Sequence, residues 1–345
     1  DPPVIEPPIF TTSPVIVTTL YLFFNFFDIM IIGDKMKVIK SIFFTIIFIG
    51  LIGVIYFKHA DITKYIMVNY IYRDDAITQK DNAYKRGYDW QYVKTTKDFT
   101  PHNKQDILNI FYTALDDGWD ELTFYCPDDY TNCLTDVKEI TKEDYVLSNI
   151  NNFVQTFNSY NSIYVNINNF GRVHIEIEKL YTDEEIKVIN KRVDEIYNQL
   201  INDKMTDVEK IKTIHDFIIN NTVYDQERAK TVIDRTSTDF KHSSNLALGP
   251  LTTGKAICGG YTDTMALFLD KMGIKNYKVS SDSHIWNLVY VDGAWKHLDL
   301  TWDDPVVNTG ENMLLHTYFL ISYDELLKQN TAQHNFDTNI YQEAK

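Results

Sequence analysis

The sequence predicts an α+β protein, a folded portion of helices and antiparallel strands preceded by one apolar, membrane-length segment. Three observations carry this. Two helices announced by capping boxes occupy 182–200 and 206–218 in the middle of the chain. Two stretches of period-two alternation, 163–177 and 284–301, each fold back around turn-forming residues. A run without charges covers 41–57, with lysines on its N-terminal side.

The apolar run follows Met36-Lys37-Val38-Ile39-Lys40 and closes at Lys58. With Val38 and Ile39 it approaches the ~20 residues that span a bilayer as a helix. The flank Tyr56-Phe57-Lys58-His59 lacks the small residues of a signal-peptide cleavage site, so an uncleaved anchor is expected. Lys35, Lys37 and Lys40 place the N-terminus on the cytoplasmic side and the C-terminal bulk outside. Residues 1–35 hold five of the nine prolines and read as an extension before a natural start at Met36. The expected organisation is therefore 1–35 extension, 36–58 anchor, 59–100 polar lead-in, 101–181 small α+β domain and 182–345 larger C-terminal domain. The 345 residues, 44% hydrophobic, are enough for a sizeable core. A net charge of −15 repels phosphate backbones and disfavours nucleic acid as a partner. Three cysteines exclude a small disulfide-stapled scaffold.

Within 101–181, Ile107, Leu108, Phe111, Tyr112 and Leu115 recur at helical spacing, and 122–125 looks extended. Val146, Ile150, Phe153, Val154 and Phe157 suggest a second helix. Ile163, Val165 and Ile167, then Val173, Ile175 and Ile177, alternate around Asn168-Asn169-Phe170-Gly171 as a hairpin does. In an oxidising compartment Cys126 and Cys133 read as a loop-closing disulfide, since no histidine stands near them to complete a metal site. Cys258 is then the lone thiol. In the next portion, Thr182-Asp183-Glu184-Glu185 opens a helix with Ile186, Ile189, Val193 and Ile196 on one face. Thr206-Asp207-Val208-Glu209 opens another, with Ile211, Ile214, Phe217 and Ile218.

The chemistry is concentrated further on. Six of thirteen glycines lie in 249–293 and three of five tryptophans in 286–302. Tyr261, Met265, Phe268, Leu269 and Met272 recur at helical spacing until Gly273, which places Cys258 at the mouth of a helix N-terminus. The dipole and unpaired N–H groups there favour the nucleophilic thiolate. Gly259 and Gly260 leave the backbone open to an oxyanion. Taken alone, this element fits a buried structural cysteine equally well. The second element is the hairpin around Asp292-Gly293. A two-residue turn pairs Val291 with Ala294, Trp286 with Asp299 and His284 with Thr301, making His284 and Asp299 diagonal neighbours on one face. A one-residue slip would separate them. The geometry describes a general base and the acid that orients it. His297 lies on the same face nearer the turn and reads as structural, and the remaining histidines stand in no comparable arrangement. There is no His-Glu-x-x-His, Cys-x-x-Cys, phosphate loop or dinucleotide fingerprint, so no metal and no cofactor are expected.

The run Gly-x-x-Cys258-Gly-Gly-Tyr261, then His284-x-Trp286-Asn287, then Trp295-x-x-x-Asp299-x-Thr301-Trp302-Asp303-Asp304-Pro305 resembles the bacterial transglutaminase-like superfamily, with Val223-Tyr224-Asp225 as a matching upstream segment. The resemblance covers about 185–305. It implies a papain-like core of helices and antiparallel sheet, with Cys258 as nucleophile, His284 as general base and Asp299 as orienter. Tyr224 then supports the oxyanion, lines the cleft or packs in the core, and Trp286 and Trp302 are cleft walls or supports. The implied chemistry is acyl transfer or hydrolysis on peptide or protein amides through a thioester. The expected substrates are peptides or proteins met at the outer cell surface, cell-wall-associated ones included. The rival expectation is a catalytically silent surface adhesion or scaffold protein. A thiol-redox protein is disfavoured, because Cys258 has no resolving cysteine within a few residues.

Overall fold

The computed structural model describes residues 35–66, 82–142, 144–234, 239, 241–306, 313–329 and 331–345. Most of the extension read at 1–35, and the 67–81 part of the lead-in, lie outside the described residues.

The described part of the first unit holds residues 168–172 and one long helix, α1 (Lys35–Ile66), of 32 residues. At 1.5 Å per residue it is about 48 Å long, more than the ~30 Å of a bilayer core. Its stretch Ile42–His59 is apolar and unburied, and among the described residues it is the one helix long and apolar enough to cross a membrane. The helix does not stop at Lys58: that lysine pairs with Asp61 one turn on (2.8 Å), inside the segment expected as lead-in.

Residues 82–167 and 173–345 pack as a second compact unit. Its first elements are α2 (Lys104–Asp116), β1 (Glu121–Tyr125), α3 (Cys133–Lys142) and α4 (Asp144–Asn151), then the hairpin of β2 (Tyr160–Ile167) and β3 (Arg172–Lys179). The sheet order is β1-β3-β2. The hairpin pairs Ile163 with Ile177, Val165 with Ile175 and Ile167 with Val173. Cys126 and Cys133 are joined as a disulfide, with Cα atoms 5.7 Å apart, at the start of α3. The helix expected to run to Phe157 stops at Asn151. The two asparagines at that point use their side chains elsewhere, which competes with helix continuation. Asn151 accepts from the Tyr160 amide (3.1 Å), and Asn152 donates to Ser280 (2.9 Å) and Tyr341 (2.7 Å).

Then follow α5 (Asp183–Leu200) and α6 (Asp207–Asn221), β4 (Val223–Tyr224), α7 (Gln226–Ile233) and β5 (Lys255–Ala256), with β4 and β5 parallel. The remaining elements are α8 (Cys258–Lys271), β6 (Asn276–Ser280), β7 (Ile285–Val291), β8 (Ala294–Leu298), α9 (Leu300–Asp303) and α10 (Tyr323–Gln329). Both capping boxes form: Thr182 accepts from the Glu185 amide while Glu185 accepts from the Thr182 amide, and Thr206 and Glu209 do the same. Each such cap is worth about 1 kcal/mol. β6, β7 and β8 make an antiparallel sheet in that order. Helix α8 is central, with Gly260 through Leu269 all buried, so it is enclosed on every side rather than amphipathic.

Packing runs across the boundary near Thr182. The Tyr181 hydroxyl donates to Asp263 of α8 (2.6 Å), and Lys278 of β6 pairs with the same carboxylate (3.0 Å). The described lead-in residues are also more than a tether. Arg86 holds both carboxylate oxygens of Asp270 (2.8 and 3.0 Å) and the Asn276 carbonyl (2.9 Å). Trp90 is buried, donates to the Tyr112 hydroxyl (2.9 Å) and carries the Lys275 ammonium 4.6 Å from its ring.

Candidate active site

The site begins at the N-terminus of α8, where Cys258 is the first helical residue and is partly exposed. The first amides of a helix have no carbonyl partner within it, and the thiol stands at that same end. The start of α8 lies directly against the 244–246 backbone. A Cβ on Gly259 would sit 2.7 Å from the Asn245 carbonyl oxygen, and one on Gly260 would sit 2.6 Å from that of Ser244. The structure thus gives both glycines a packing reason: no side chain fits there. Parallel pairing of Tyr224 with Ala256 brings Tyr224 two residues from Cys258. Burial first, then the charge of Cys258, pushes the Tyr224 hydroxyl up to about 12, so it stays protonated.

His284 and Asp299 come from the hairpin. Its register has Val291 opposite Ala294 and continues to Asn287 opposite Leu298. The next rungs do not form, because Asp299 leaves the strand to cap α9 and its own amide donates to the Tyr318 carbonyl (3.2 Å). That departure brings the carboxylate directly to the imidazole: His284 Nε2 lies 2.6 Å from Asp299 Oδ2, both side chains almost fully buried. The other ring nitrogen is left for Cys258. Burial disfavours the charged ring, but the charge and hydrogen bond of Asp299, and then Cys258, outweigh it and hold His284 at about 10.

Asp299 has a second histidine. His334 Nε2 lies 2.8 Å from the same oxygen, while Asp299 Oδ1 accepts the amides of Thr301 (2.9 Å) and Trp302 (3.2 Å). Burial alone would raise this carboxyl; the charge and hydrogen bond of His284 and the hydrogen bond of His334 hold it well below the usual range. The Thr331 hydroxyl meets His334 Nδ1, and the ring stacks on Tyr318 (4.8 Å). The expectation that no other histidine stands in a comparable arrangement is therefore overturned. No local pattern marks His334, which follows Asp299 by 35 residues and reaches it through the fold. The trio's ligating atoms are close enough for a metal. All three residues are buried, however, and the second Asp299 oxygen is held by two backbone amides, so the trio is not read as a metal site.

The aromatic residues divide. Trp286 is fully buried, stacks on His284 (5.6 Å, 17°) and donates to His297 Nδ1 (3.0 Å), which makes it a support and not a cleft wall. His297 then meets the Ala344 carbonyl through Nε2 (2.9 Å), and burial pushes its pKa down to about 4. It is a neutral structural histidine. Trp302 is partly exposed, donates to Gln333 (3.1 Å) and packs on His334 (5.2 Å), at the rim of the buried trio.

Residues 194–300 match the transglutaminase-like superfamily. Among solved structures, the chain is similar to one described as a TGase, at 18% identity and a TM-score of 0.30, over 41% of this chain and 44% of that one. It is also similar to one described as a "Putative Cysteine Protease from Cytophaga hutchinsonii", at 15% identity and a TM-score of 0.25, over 45% of this chain and 65% of that one. The chain spans less than two thirds of the length of either. No curated protein matches it.

Proposed function

We infer that this chain, whose residues 194–300 are a transglutaminase-like domain, is a thiol enzyme acting on peptide or protein amides through a Cys258 thioester. The observation that carries the reading is the partly exposed thiol at the start of α8, backed by a buried imidazole already bonded to a carboxylate at 2.6 Å.

In the reaction, Cys258 sulfur attacks the amide carbonyl carbon, and the negative oxygen is met by amides of the first turn of α8. The protonated Tyr224 hydroxyl is a second donor beside them. His284, held protonated near neutral pH by Asp299, delivers its proton to the departing amine as the C–N bond breaks. The thioester is then attacked by water or by a primary amine. His284 accepts the proton of that nucleophile, and the thiolate leaves to restore the starting pair. Asp299 keeps the ring in one tautomer throughout, and His334 keeps Asp299 in place. Helix α1 anchors the chain, and Lys35, Lys37 and Lys40 at its N-terminal end put the catalytic unit outside, facing cell-surface or cell-wall-associated peptides and proteins.

Three measurements test this. Incubation with casein and a biotinylated primary amine, followed by mass spectrometry, yields new isopeptide links or new carboxyl termini, and neither with Cys258→Ala. If Cys258 resists iodoacetamide at neutral pH while the protein is folded, the thiol-enzyme reading fails. Protease added to intact cells removes the C-terminal unit if it faces outward; protection there defeats the assigned topology.

A further inference from the structure

Outside the catalytic trio, helix α6 and the segment 313–318 bring a second group of histidines and carboxylates together. His215 Nδ1 lies 2.9 Å from Asp216 Oδ1, and His316 Nε2 lies 2.7 Å from the same oxygen. The two imidazoles stack at 5.2 Å. All three ligating atoms fall within 4.8 Å of one another. We propose that His215, Asp216 and His316 form a binding site for a divalent transition-metal ion, zinc foremost, which ties α6 to the segment 313–318.

The first argument is a proton count. His215 is fully buried, and both of its ring nitrogens face carboxylates: Nδ1 faces Asp216, and Nε2 lies 3.2 Å from Oδ2 of the fully buried Asp303. A neutral imidazole has one N–H and cannot donate to both. If it donates to Asp303, then Nδ1 and Asp216 Oδ1 are two acceptors facing each other. A second proton on the ring would remove that conflict, and so would a metal ion between the two atoms. The resulting pattern, a histidine bound through one nitrogen while the other donates to a carboxylate, is the usual second layer of a protein zinc site. Asp303 is itself fixed, since its other oxygen accepts the Tyr318 amide (2.9 Å).

The second argument is reach. Zinc–ligand bonds of about 2.0–2.1 Å at tetrahedral angles set donor atoms roughly 3.3 Å apart. The observed 2.9 and 2.7 Å need to open by only about half an ångström. The way in is open, because the side chains of His316 and Asp216 are 36% and 24% exposed. Lys212 pairs with the other Asp216 oxygen, but its side chain is about half exposed and can turn to solvent without moving the helix. Two imidazoles and one carboxylate suit zinc better than calcium or magnesium, which prefer all-oxygen shells. Three protein donors leave a fourth position to water.

Such an ion would act on the reaction centre from a distance. The segment it holds leads to Tyr318, on which His334 stacks, and Asp303 ends the helix that Asp299 begins. The group is therefore a positioning device for the trio.

The test uses the full chain in detergent with Cys258→Ala, so that the catalytic thiol cannot take up zinc. Equilibrium dialysis against zinc chloride with elemental analysis is expected to give one zinc per chain and a raised Tm. Adding His316→Ala, or His316→Gln as a second variant, is expected to weaken zinc binding at least about 100-fold and to abolish the Tm rise. Circular dichroism of the metal-free variants reports whether both remain folded. Failure of the parent to retain zinc overturns the proposal. So does equal zinc binding with and without His316, which would place the ion elsewhere. Neither result depends on whether Cys258 is a nucleophile.

Discussion

Asp299→Asn removes the charge on which His284 depends while keeping the shape of the site. The ring sits at about 10 against an ordinary 6.5, so its surroundings favour the charged form by about 5 kcal/mol at 1.36 kcal/mol per pH unit. Both groups are buried, so solvent screens little of this. Among the causes, burial is the largest and opposes the charge; Asp299 is the main one that overcomes it. With asparagine, burial prevails and His284 becomes neutral at pH 7.5. The side-chain carbonyl of asparagine can still cap α9, so the fold survives. Its amide group, however, points hydrogens at two Nε2 atoms that themselves donated to the carboxylate, which forces His284 into the tautomer with its proton toward Cys258. The measurement is an NMR titration of the His284 ring from pH 5 to 10. The wild-type ring is expected to stay charged through pH 8. In the variant, the titration is expected to move down by about three units, and amine incorporation to fall by about 10²–10⁴-fold. The sign for stability follows: a raised histidine contributes fully below about 6.5 and loses that contribution as pH rises through about 10. The wild-type advantage over the variant should therefore vanish at high pH. Equal titration of His284 in the two proteins would refute the reasoning.

His334→Phe keeps the ring against Tyr318 and deletes one hydrogen bond to a charged group, worth about 1.5–3 kcal/mol. Steady-state kinetics should show a fall in kcat with little change in KM and a displaced pH profile, partly rescued by His334→Gln; an unmoved profile would leave His334 purely structural. Gly260→Ala places a Cβ 2.6 Å from the Ser244 carbonyl oxygen, and differential scanning calorimetry should report a loss of about 1–3 kcal/mol. Replacing both Cys126 and Cys133 by alanine opens a loop of sequence separation 7, which chain entropy values at about 2.5 kcal/mol. Denaturant titration should show that loss, with iodoacetamide labelling of Cys258 unchanged.

What could be read from the sequence was what neighbours in the chain decide. The capping boxes at Thr182 and Thr206 involve residues three apart and open the helices expected of them. The Asp292-Gly293 turn fixes the β7–β8 register, and Cys258 heads α8 as the apolar spacing says. The misses needed distant partners. Nothing near Asn151 shows that helix α4 ends because its asparagines are engaged elsewhere. Nothing near Asp299 shows that it leaves its strand for α9, or that His334 returns to it. The role of Gly259 and Gly260 was legible as small residues near a thiol, but the carbonyls that require them lie on a segment fourteen or more residues earlier in the chain.

The four hydrogen bonds of the Asp299 carboxylate also make the site readable through its backbone. Two of them hold the Thr301 and Trp302 amides, and α9, at four residues, is too short to persist without its cap. Hydrogen–deuterium exchange at those two amides therefore reports on the whole assembly. They are expected to be shielded while an oxygen of the residue 299 side chain caps the turn, and to open together when it leaves. One side chain thus both caps a single helical turn and meets the imidazole.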